Sequence, residues 1–403
     1  LHDALPILLR MKKNKKIDTR IIHTGSNPNK QNGAVNTPVY RASTVIFPTT
    51  GELKEALKYK YDKTFYGVHG TPSSFALEEA MAEIEGGYRA ISVSSGLAAI
   101  TTALLTFLNS GDHLLMVDSV YGPTRNFCDT VLKSFGIETT YYDPMAGSEI
   151  EHLVKPETKV IFTESPGSYT FEVQDIPQIT KIAREFGIKV MMDNTWSAGF
   201  YYKPFNFGVD ISIQATTKYQ AGHSDVILGH IISKNEEDWL KLKTMTSNLG
   251  QAVAPDACYL ALRGLRTLSV RLEQHQESAL TVATWLKNRP EVTQILHPAF
   301  ETCPGHKIWK RDFSGSSGLF SFIIKKVQSE KVENMLNNFQ YFKMGFSWGG
   351  FESLILQSDP AKIRSAMKWR NPGLLFRIHI GQEDVKDLIN DLKIGFDRLS
   401  GKE

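Results

Sequence analysis

The chain has 403 residues, with 46 Lys and Arg against 43 Asp and Glu, so its formal net charge is +3. This near balance argues against a nucleic-acid-binding protein, in which basic residues are in marked excess. At 41% hydrophobic and 22% charged residues, the composition is typical of a soluble globular protein of about two or three domains. Because no apolar run approaches the ~18 residues of a membrane span, we expect no membrane partner.

The N-terminal region, residues 1–70, is predicted to be an extended arm. Residues 1–10 precede Met11, and we expect them to be an extension without function. Their apolar stretch comes before the basic run Lys12–Lys16, which is the reverse of the order in a signal peptide. The remaining residues to about Gly70 are polar and turn-rich with little periodicity, so this arm should need another surface to order it.

A cofactor-binding domain is predicted over residues 71–264. Helical patterns at Leu97–Leu108 and Ile176–Phe186 alternate there with short apolar runs. Such alternation indicates an α/β fold, with a mostly parallel sheet covered by helices on both faces. The predicted strands are Arg89–Val93, His113–Val117, Thr158–Phe162, Ile188–Met192 and Asp210–Gln214.

A smaller C-terminal α+β domain is predicted over residues 265–403, because strands and helices follow there in looser order. Long helical patterns cover Thr267–Lys287 and Glu383–Leu399, and strand patterns cover Gly318–Ile324 and Leu375–Ile380.

Cysteine and histidine usage points to a cytoplasmic protein without a metal site. Cys128, Cys258 and Cys303 are odd in number and widely separated, which is typical of reduced, packed thiols. His223 and His230 lack the Glu and the spacing of a zinc-binding helix.

The segment Ser94-Ser95-Gly96-Leu97 lies where a predicted strand gives way to a helix. Backbone N–H groups and the positive helix end make such a junction a possible anion site. Two alternatives are a simple tight turn of small residues and a nucleophile elbow, in which Ser94 or Ser95 would serve a serine hydrolase.

Asp193 and Lys218 each follow a predicted strand, one β-unit apart. Alone, Asp193 suits a turn and Lys218 suits a solvated surface. Together with the helix start near Gly96 and the hydroxyl of Thr217, they fit pyridoxal phosphate, which needs an amine, a carboxylate and a phosphate site. Tyr121 could supply an aromatic face for the ring or simply pack in the core.

Several segments carry a family resemblance that covers about Thr19 to Leu399. The chain resembles the cysteine and methionine metabolism group of pyridoxal-phosphate enzymes, which have the aspartate aminotransferase-like fold type I. The segments that carry it are FYGVHGTPSSFALEEAMAEIEGG, QATTKYQAGHSDVILG, WKRDFSGSSGLFSF, SWGGFESL and FRIHIGQEDVKDLI.

This resemblance implies roles for individual residues. Lys218 would form the Schiff base with the cofactor, Asp193 would pair with the pyridine nitrogen, and Tyr121 would stack on the ring. Phosphate contacts would come from Gly96, Leu97 and Thr217. Tyr66 would reach the cofactor from the neighbouring subunit, and the substrate would be bound by Arg377, Ser347 and Trp348.

Two departures from the family pattern concern the phosphate. Many members have Tyr-Gly-Arg where this chain has Tyr66-Gly67-Val68, and many have Ser-x-Thr-Lys where it has Ala215-Thr216-Thr217-Lys218. Each departure removes a phosphate donor. His69, next to Val68, could gain charge as the pH falls.

The segments around Trp309 and Trp348 resemble the branch of the family that carries out β-elimination. The resemblance therefore implies a carbon–sulfur lyase that converts cystathionine, an amino-acid thioether, to homocysteine, pyruvate and ammonia in methionine biosynthesis. A γ-lyase or γ-synthase of the same family is the alternative. The family also implies a homo-oligomer with shared active sites, at least a dimer and by expectation a tetramer.

Overall fold

The computed structural model describes residues 16–402. The predicted extension at residues 1–10 and nearly all of the basic run Lys12–Lys16 lie outside the described residues. Within residues 16–402, no helix is both long and apolar enough to cross a membrane.

The larger sheet has seven strands in the order β1-β7-β6-β5-β4-β2-β3. Neighbouring strands are parallel except at β7, which is antiparallel to both β1 and β6. The α/β prediction for this region is confirmed, although the antiparallel β7 and the edge strand β3 were not predicted. The strands are β1 (Arg89–Val93), β2 (His113–Val117), β3 (Glu138–Tyr142), β4 (Thr158–Glu164), β5 (Lys189–Asp193), β6 (Ile211–Gln214) and β7 (Gly229–Ser233).

The smaller sheet is antiparallel throughout, in the order β10-β11-β9-β8. Its strands are β8 (Val292–Leu296), β9 (Leu319–Ile324), β10 (Leu354–Ser358) and β11 (Leu374–His379). The predicted α+β character of this region is confirmed, whereas the boundary between residues 264 and 265 remains a prediction.

Helices cover both sheets. In chain order they are α1 (Ile17–His23), α2 (Thr50–Lys58), α3 (Pro72–Glu85), α4 (Gly96–Phe107), α5 (Gly122–Phe127), α6 (Ile176–Glu185), α7 (Glu236–Asn248), α8 (Pro255–Leu265), α9 (Leu268–Lys287), α10 (His306–Asp312), α11 (Ser329–Asn337) and α12 (Val385–Ser400).

Alternating side chains place the two faces of the larger sheet in different cores. Ile91 and Ile231 pack in one buried cluster, whereas their neighbours Ala90 and Ile232 pack in another. This alternation follows from the two-residue period of a strand. Helices therefore cover both faces, as predicted, and only the strand ends are left open for a ligand.

The arm is partly docked on its own chain. In α1, Ile21 is buried and Arg20 Nε lies 2.5 Å from the Glu83 carboxylate of α3. Two helices, α1 and α2, occur where the sequence suggested no periodicity. Further along, Val35 and Ile46 remain 75% and 86% exposed, so the described part of this chain does not bury these apolar side chains of the arm.

Candidate active site

A cavity of about 360 Å³ lies at the carboxyl ends of the parallel strands. This is the edge at which open α/β sheets bind ligands. The cavity brings together nine of the ten predicted site residues, although they are separated by up to 281 positions along the chain: Gly96, Leu97, Tyr121, Asp193, Thr217, Lys218, Ser347, Trp348 and Arg377.

Lys218 extends into this cavity from the loop that follows β6. Its Nζ donates a hydrogen bond to Ser347 Oγ at 2.7 Å and lies 5.2 Å from the centre of the Trp348 ring. Burial, together with a smaller effect of nearby Arg377, lowers the pKa of the Lys218 amine to about 8, and Asp193 opposes the change. A substantial minority of this amine is therefore neutral, and thus nucleophilic, near physiological pH.

Asp193 is the last residue of β5, and a short turn fixes its carboxylate. Its Oδ1 accepts hydrogen bonds from the backbone N–H of Thr195 at 3.0 Å and from Thr195 Oγ1 at 2.6 Å. The same Thr195 hydroxyl accepts from the backbone N–H of Ala215 at 2.9 Å, which links this turn to the Lys218 loop. Burial raises the pKa of Asp193, and the Thr195 hydrogen bonds oppose that shift.

The N-terminus of α4 forms one end of the cavity. Ser95 caps the helix by accepting from the Ala98 backbone N–H at 3.0 Å, and Gly96 and Leu97 provide the first turn. A Cβ on Gly96 would lie only 2.5 Å from the Ala215 Cβ, so a side chain there would displace the Lys218 loop. This end offers backbone N–H groups to an anion. The Thr217 hydroxyl lies beside it and here accepts from the Leu228 backbone N–H at 2.9 Å and donates to the Leu228 backbone oxygen at 3.2 Å.

The opposite side of the cavity comes from the smaller sheet. Arg377, on β11, donates from Nη2 to the backbone oxygen of Ser347 at 3.3 Å, and its guanidinium carbon lies 5.3 Å from the centre of the Tyr169 ring. Ser347 has a φ of +87°. Such strain in a non-glycine residue costs about 1–3 kcal/mol and is most common at functional sites; here it directs the Ser347 hydroxyl at Lys218.

Glu164 is a cavity residue that sequence reasoning missed. It ends β4 directly beside Asp193 in the sheet register, and its Oε2 accepts from the backbone N–H of Tyr121 at 2.8 Å. Burial raises the pKa of Glu164 well above its ordinary value, and the neighbouring Asp193 adds to this effect. In the sequence Glu164 stands just past the predicted strand Thr158–Phe162, and that position alone does not indicate a site until Asp193 is known to lie beside it.

The serine nucleophiles of the hydrolase alternative have other partners. Ser94 Oγ donates to the Gln251 side chain at 3.0 Å, and Ser95 is occupied with the helix cap. Neither partner is a histidine, so the base that such a nucleophile requires is missing from these contacts.

Tyr66 does not reach the Lys218 cavity of its own chain. It is 46% exposed and lines a second cavity of about 320 Å³ together with Val68 and His69. His69 lies 3.1 Å from the Ser247 hydroxyl, and burial together with the charges of Lys60 and Lys243 lowers its pKa. This shift argues against the gain of charge that the sequence suggested for His69.

Residues 18–397 match the family described as Cys/Met metabolism PLP-dependent enzyme. The chain belongs to this family. The resemblance seen in its sequence is thereby confirmed, and so is the pyridoxal-phosphate cofactor that the family uses.

Two curated relatives and one solved structure extend the comparison. The chain is 46% identical to cystathionine beta-lyase of Haemophilus influenzae, over 95% of this chain and 98% of that protein. It is 44% identical to cystathionine beta-lyase MetC of Escherichia coli, over 96% and 99%. The crystal structure of metB from Corynebacterium glutamicum superposes with a TM-score of 0.89 at 29% identity, covering 96% of this chain and 99% of that one.

The residues present fit pyridoxal phosphate. A buried amine, a strand-end carboxylate and a helix N-terminus with a glycine at its closest approach line one cavity. These are the groups that hold the aldehyde, the ring nitrogen and the phosphate of this cofactor.

Proposed function

We propose that this enzyme is a cystathionine β-lyase, which cleaves the Cβ–S bond of L-cystathionine and, with uptake of one water, gives L-homocysteine, pyruvate and ammonia in methionine biosynthesis. The observation that carries the proposal is the convergence of Lys218, Asp193 and Arg377 in one cavity. It is supported by nearly full-length relatives that bear this name.

In this proposal Lys218 holds the cofactor and also moves the proton. Bound pyridoxal phosphate supplies an electron sink for charge that develops at the substrate Cα. With its pKa lowered to about 8, the Lys218 amine can remove the Cα proton as a neutral base and then deliver a proton to the departing sulfur. Ser347, 2.7 Å from Lys218 Nζ, orients the amine between these two positions.

Asp193 is proposed to keep the pyridine nitrogen protonated, and Tyr121 to stack on the ring. Because Thr195 donates two hydrogen bonds to one Asp193 oxygen, the carboxylate has a fixed direction and its other oxygen is left for the cofactor. Gly96, Leu97 and Thr217 are proposed to bind the phosphate.

Arg377 is proposed to bind the substrate α-carboxylate. Burial lowers the pKa of its guanidinium, yet this group keeps its charge at any physiological pH. A charge of this kind in a partly desolvated pocket favours a carboxylate partner. Trp348 would line the same pocket beside Lys218 Nζ.

The working enzyme is proposed to be a cytoplasmic homo-oligomer, at least a dimer and by expectation a tetramer. Tyr66 lies outside the Lys218 cavity of its own chain, and the arm exposes Val35 and Ile46. Docking of the arm on a second copy would cover these side chains and bring Tyr66 to the partner's cofactor.

A product assay on purified enzyme with L-cystathionine tests the proposal. β-Elimination gives pyruvate and homocysteine, whereas the γ-elimination of the alternative gives 2-oxobutyrate and cysteine. Pyruvate as the main keto acid is the expected result. If 2-oxobutyrate dominates, the enzyme is a γ-lyase. A colourless protein that is labelled by a serine-directed fluorophosphonate would instead favour the hydrolase alternative.

A further inference from the structure

Glu85, at the end of α3, is a fully buried carboxylate that the proposed chemistry does not use. Its Oε2 accepts from Ser212 Oγ at 2.8 Å and from Asn194 Nδ2 at 3.1 Å. Its Oε1 accepts a short hydrogen bond from Gln214 Nε2. A buried carboxylate is stable only where such donors surround it. Loss of any one of these contacts would therefore destabilise the group.

The donors belong to the two segments that carry the chemistry. Asn194 directly follows Asp193, while Ser212 and Gln214 lie on β6, which leads into the Lys218 loop. The two segments are also joined directly, because Gln214 Nε2 donates to the Asn194 backbone oxygen at 2.8 Å. Glu85 therefore contacts both segments from behind the cavity.

The network continues past Lys218. Gln220, two residues after Lys218, donates from Nε2 to Gln214 Oε1 at 2.6 Å. Of these polar residues, Glu85, Asn194, Gln214 and Gln220 are all buried, and none of them lines the Lys218 cavity. They cannot touch a ligand there, so any effect on the reaction must pass through the position of Asp193 or Lys218.

Space around the carboxylate is restricted as well. A Cβ on Gly199, which has a φ of +64°, would lie 2.2 Å from Glu85 Oε1. Lys203 is the cation that acts on Glu85, and its Nζ donates to the backbone oxygens of Ile84 and Gly199. Close packing and mutual hydrogen bonds give this network a single arrangement.

We propose that Glu85 is a positioning residue, whose buried carboxylate sets the spacing between Asp193 and Lys218. A shift of either segment would break hydrogen bonds to Glu85 and leave buried donors unpaired. A misplacement of about 1 Å can cost roughly 10²-fold in rate, so loss of this anchor should lower kcat more than it changes KM.

The test compares Glu85→Leu and Glu85→Gln with the matched control Asp238→Asn. Asp238 is also buried and hydrogen bonded, but it accepts from Lys189 at the opposite end of β5 from Asp193. We expect Glu85→Leu to lose about tenfold to 10²-fold in kcat with KM nearly unchanged. Glu85→Gln keeps one acceptor oxygen but places an NH2 group beside buried donors, so it should recover only part of that loss, and Asp238→Asn should keep wild-type kcat.

Hydrogen exchange of the cofactor-free enzyme gives a readout that is independent of turnover. In Glu85→Leu, peptides covering residues 194–199 and 215–221 should exchange faster, while peptides of the smaller sheet stay unchanged. If Glu85→Leu does not yield folded protein, Gln214→Leu cuts the same link within the network and should give the same local pattern with a smaller loss of kcat.

Two results would overturn the inference: wild-type kcat and exchange in the folded variant, or faster exchange spread evenly over both sheets. The kinetic part of the test rests on the proposed function, because its substrate is cystathionine. If wild-type enzyme fails to turn over cystathionine, the proposed function fails, and the exchange data alone decide the role of Glu85.

Discussion

Two cavities of similar size, about 360 and 320 Å³, differ in how they are assembled. Around Lys218, side chains from both sheets converge, because parallel strands bring their carboxyl ends to one edge. Around Tyr66, the arm contributes residues that are expected to contact the cofactor of a neighbouring subunit rather than a ligand of their own chain. The described part of one chain builds the first site, whereas the second is proposed to be completed by another subunit, and the following experiments test that difference.

Lys218→Ala should have the largest effect. It removes the amine that is proposed to hold the cofactor and to move the proton, and loss of one acid–base group alone costs about 10² to 10⁴ in rate. We expect turnover of cystathionine to fall to background and the yellow colour of the bound cofactor to be lost or shifted. A variant with wild-type turnover would show that the cavity around Lys218 is not the active site.

Asp193→Asn should keep part of the cofactor but lose most activity, about 10²-fold or more, because a neutral amide cannot hold the ring nitrogen protonated. Turnover and cofactor content should be measured on the same preparations, with Asp238→Asn as the control. Near wild-type turnover with full cofactor would mean that Asp193 only caps its turn.

Glu85→Gln should change how stability depends on pH. Burial raises the pKa of Glu85 from 4.5 to about 7, so the folded protein keeps a proton that the unfolded chain releases between these values. The contribution of Glu85 to stability should therefore fall as the pH rises from 4.5 to 7, by up to about 3 kcal/mol.

Urea unfolding midpoints at pH 5 and pH 7, at one protein concentration, measure this effect. Between pH 5 and pH 7 the stability of Glu85→Gln should rise relative to that of the wild type, because the amide has no proton to release in this range. A difference between the two proteins that is the same at both pH values would show that Glu85 does not titrate there.

Val68→Arg tests whether position 68 of the arm lies beside the cofactor phosphate of a neighbouring subunit. A charge-assisted hydrogen bond is worth about 1.5 to 3 kcal/mol, so cofactor retention on dialysis should improve by about tenfold or more. Val68→Gln is the control for size without charge. Retention equal to wild type would place position 68 away from the phosphate or show that another group already binds it.

Mixing Lys218→Ala with Tyr66→Phe tests sharing of the site between chains, provided that each variant alone is impaired. In a symmetric dimer, random exchange gives hybrids with one intact site, so roughly a quarter of wild-type activity should return. The control mixes each variant with itself under the same conditions. No recovery after verified subunit exchange would favour sites built within single chains.

Elements with a strong local pattern could be predicted from the sequence. Arg89–Val93 and His113–Val117 were predicted with the bounds that the structure has, because these short apolar runs are bounded by polar turns. The antiparallel β7 was missed. All of its residues are buried, so polar and apolar side chains do not alternate along it, and its direction in the sheet cannot be read from its residues. The arm helices α1 and α2 were missed too. Helix α1 depends on contacts with α3 rather than on its own pattern, and α2 buries none of its residues, so no apolar face marks it in the sequence.

The chemistry of the site was readable from residue types and their order. An amine, a carboxylate and small residues at a strand-to-helix junction already suggested pyridoxal phosphate, and the family resemblance added Arg377, Ser347 and Trp348. Glu164 was not predicted, because a strand-end Glu has no signal of its own until its neighbour in the sheet is known. Its partner Asp193 lies 29 positions away and meets it only through the register of β4 and β5.

Sequence alone therefore determined the family, the cofactor and the residues that carry the charge and the amine. Tertiary structure decided which of them meet, because Ser347 reaches Lys218 only when the smaller sheet packs against the strand ends of the larger one. It also decided their electrostatic state, since the pKa of Lys218 depends on burial and on nearby Arg377 and Asp193. Both the contact and the pKa depend on distances in the folded structure, and the neighbours of a residue along the chain do not determine those distances.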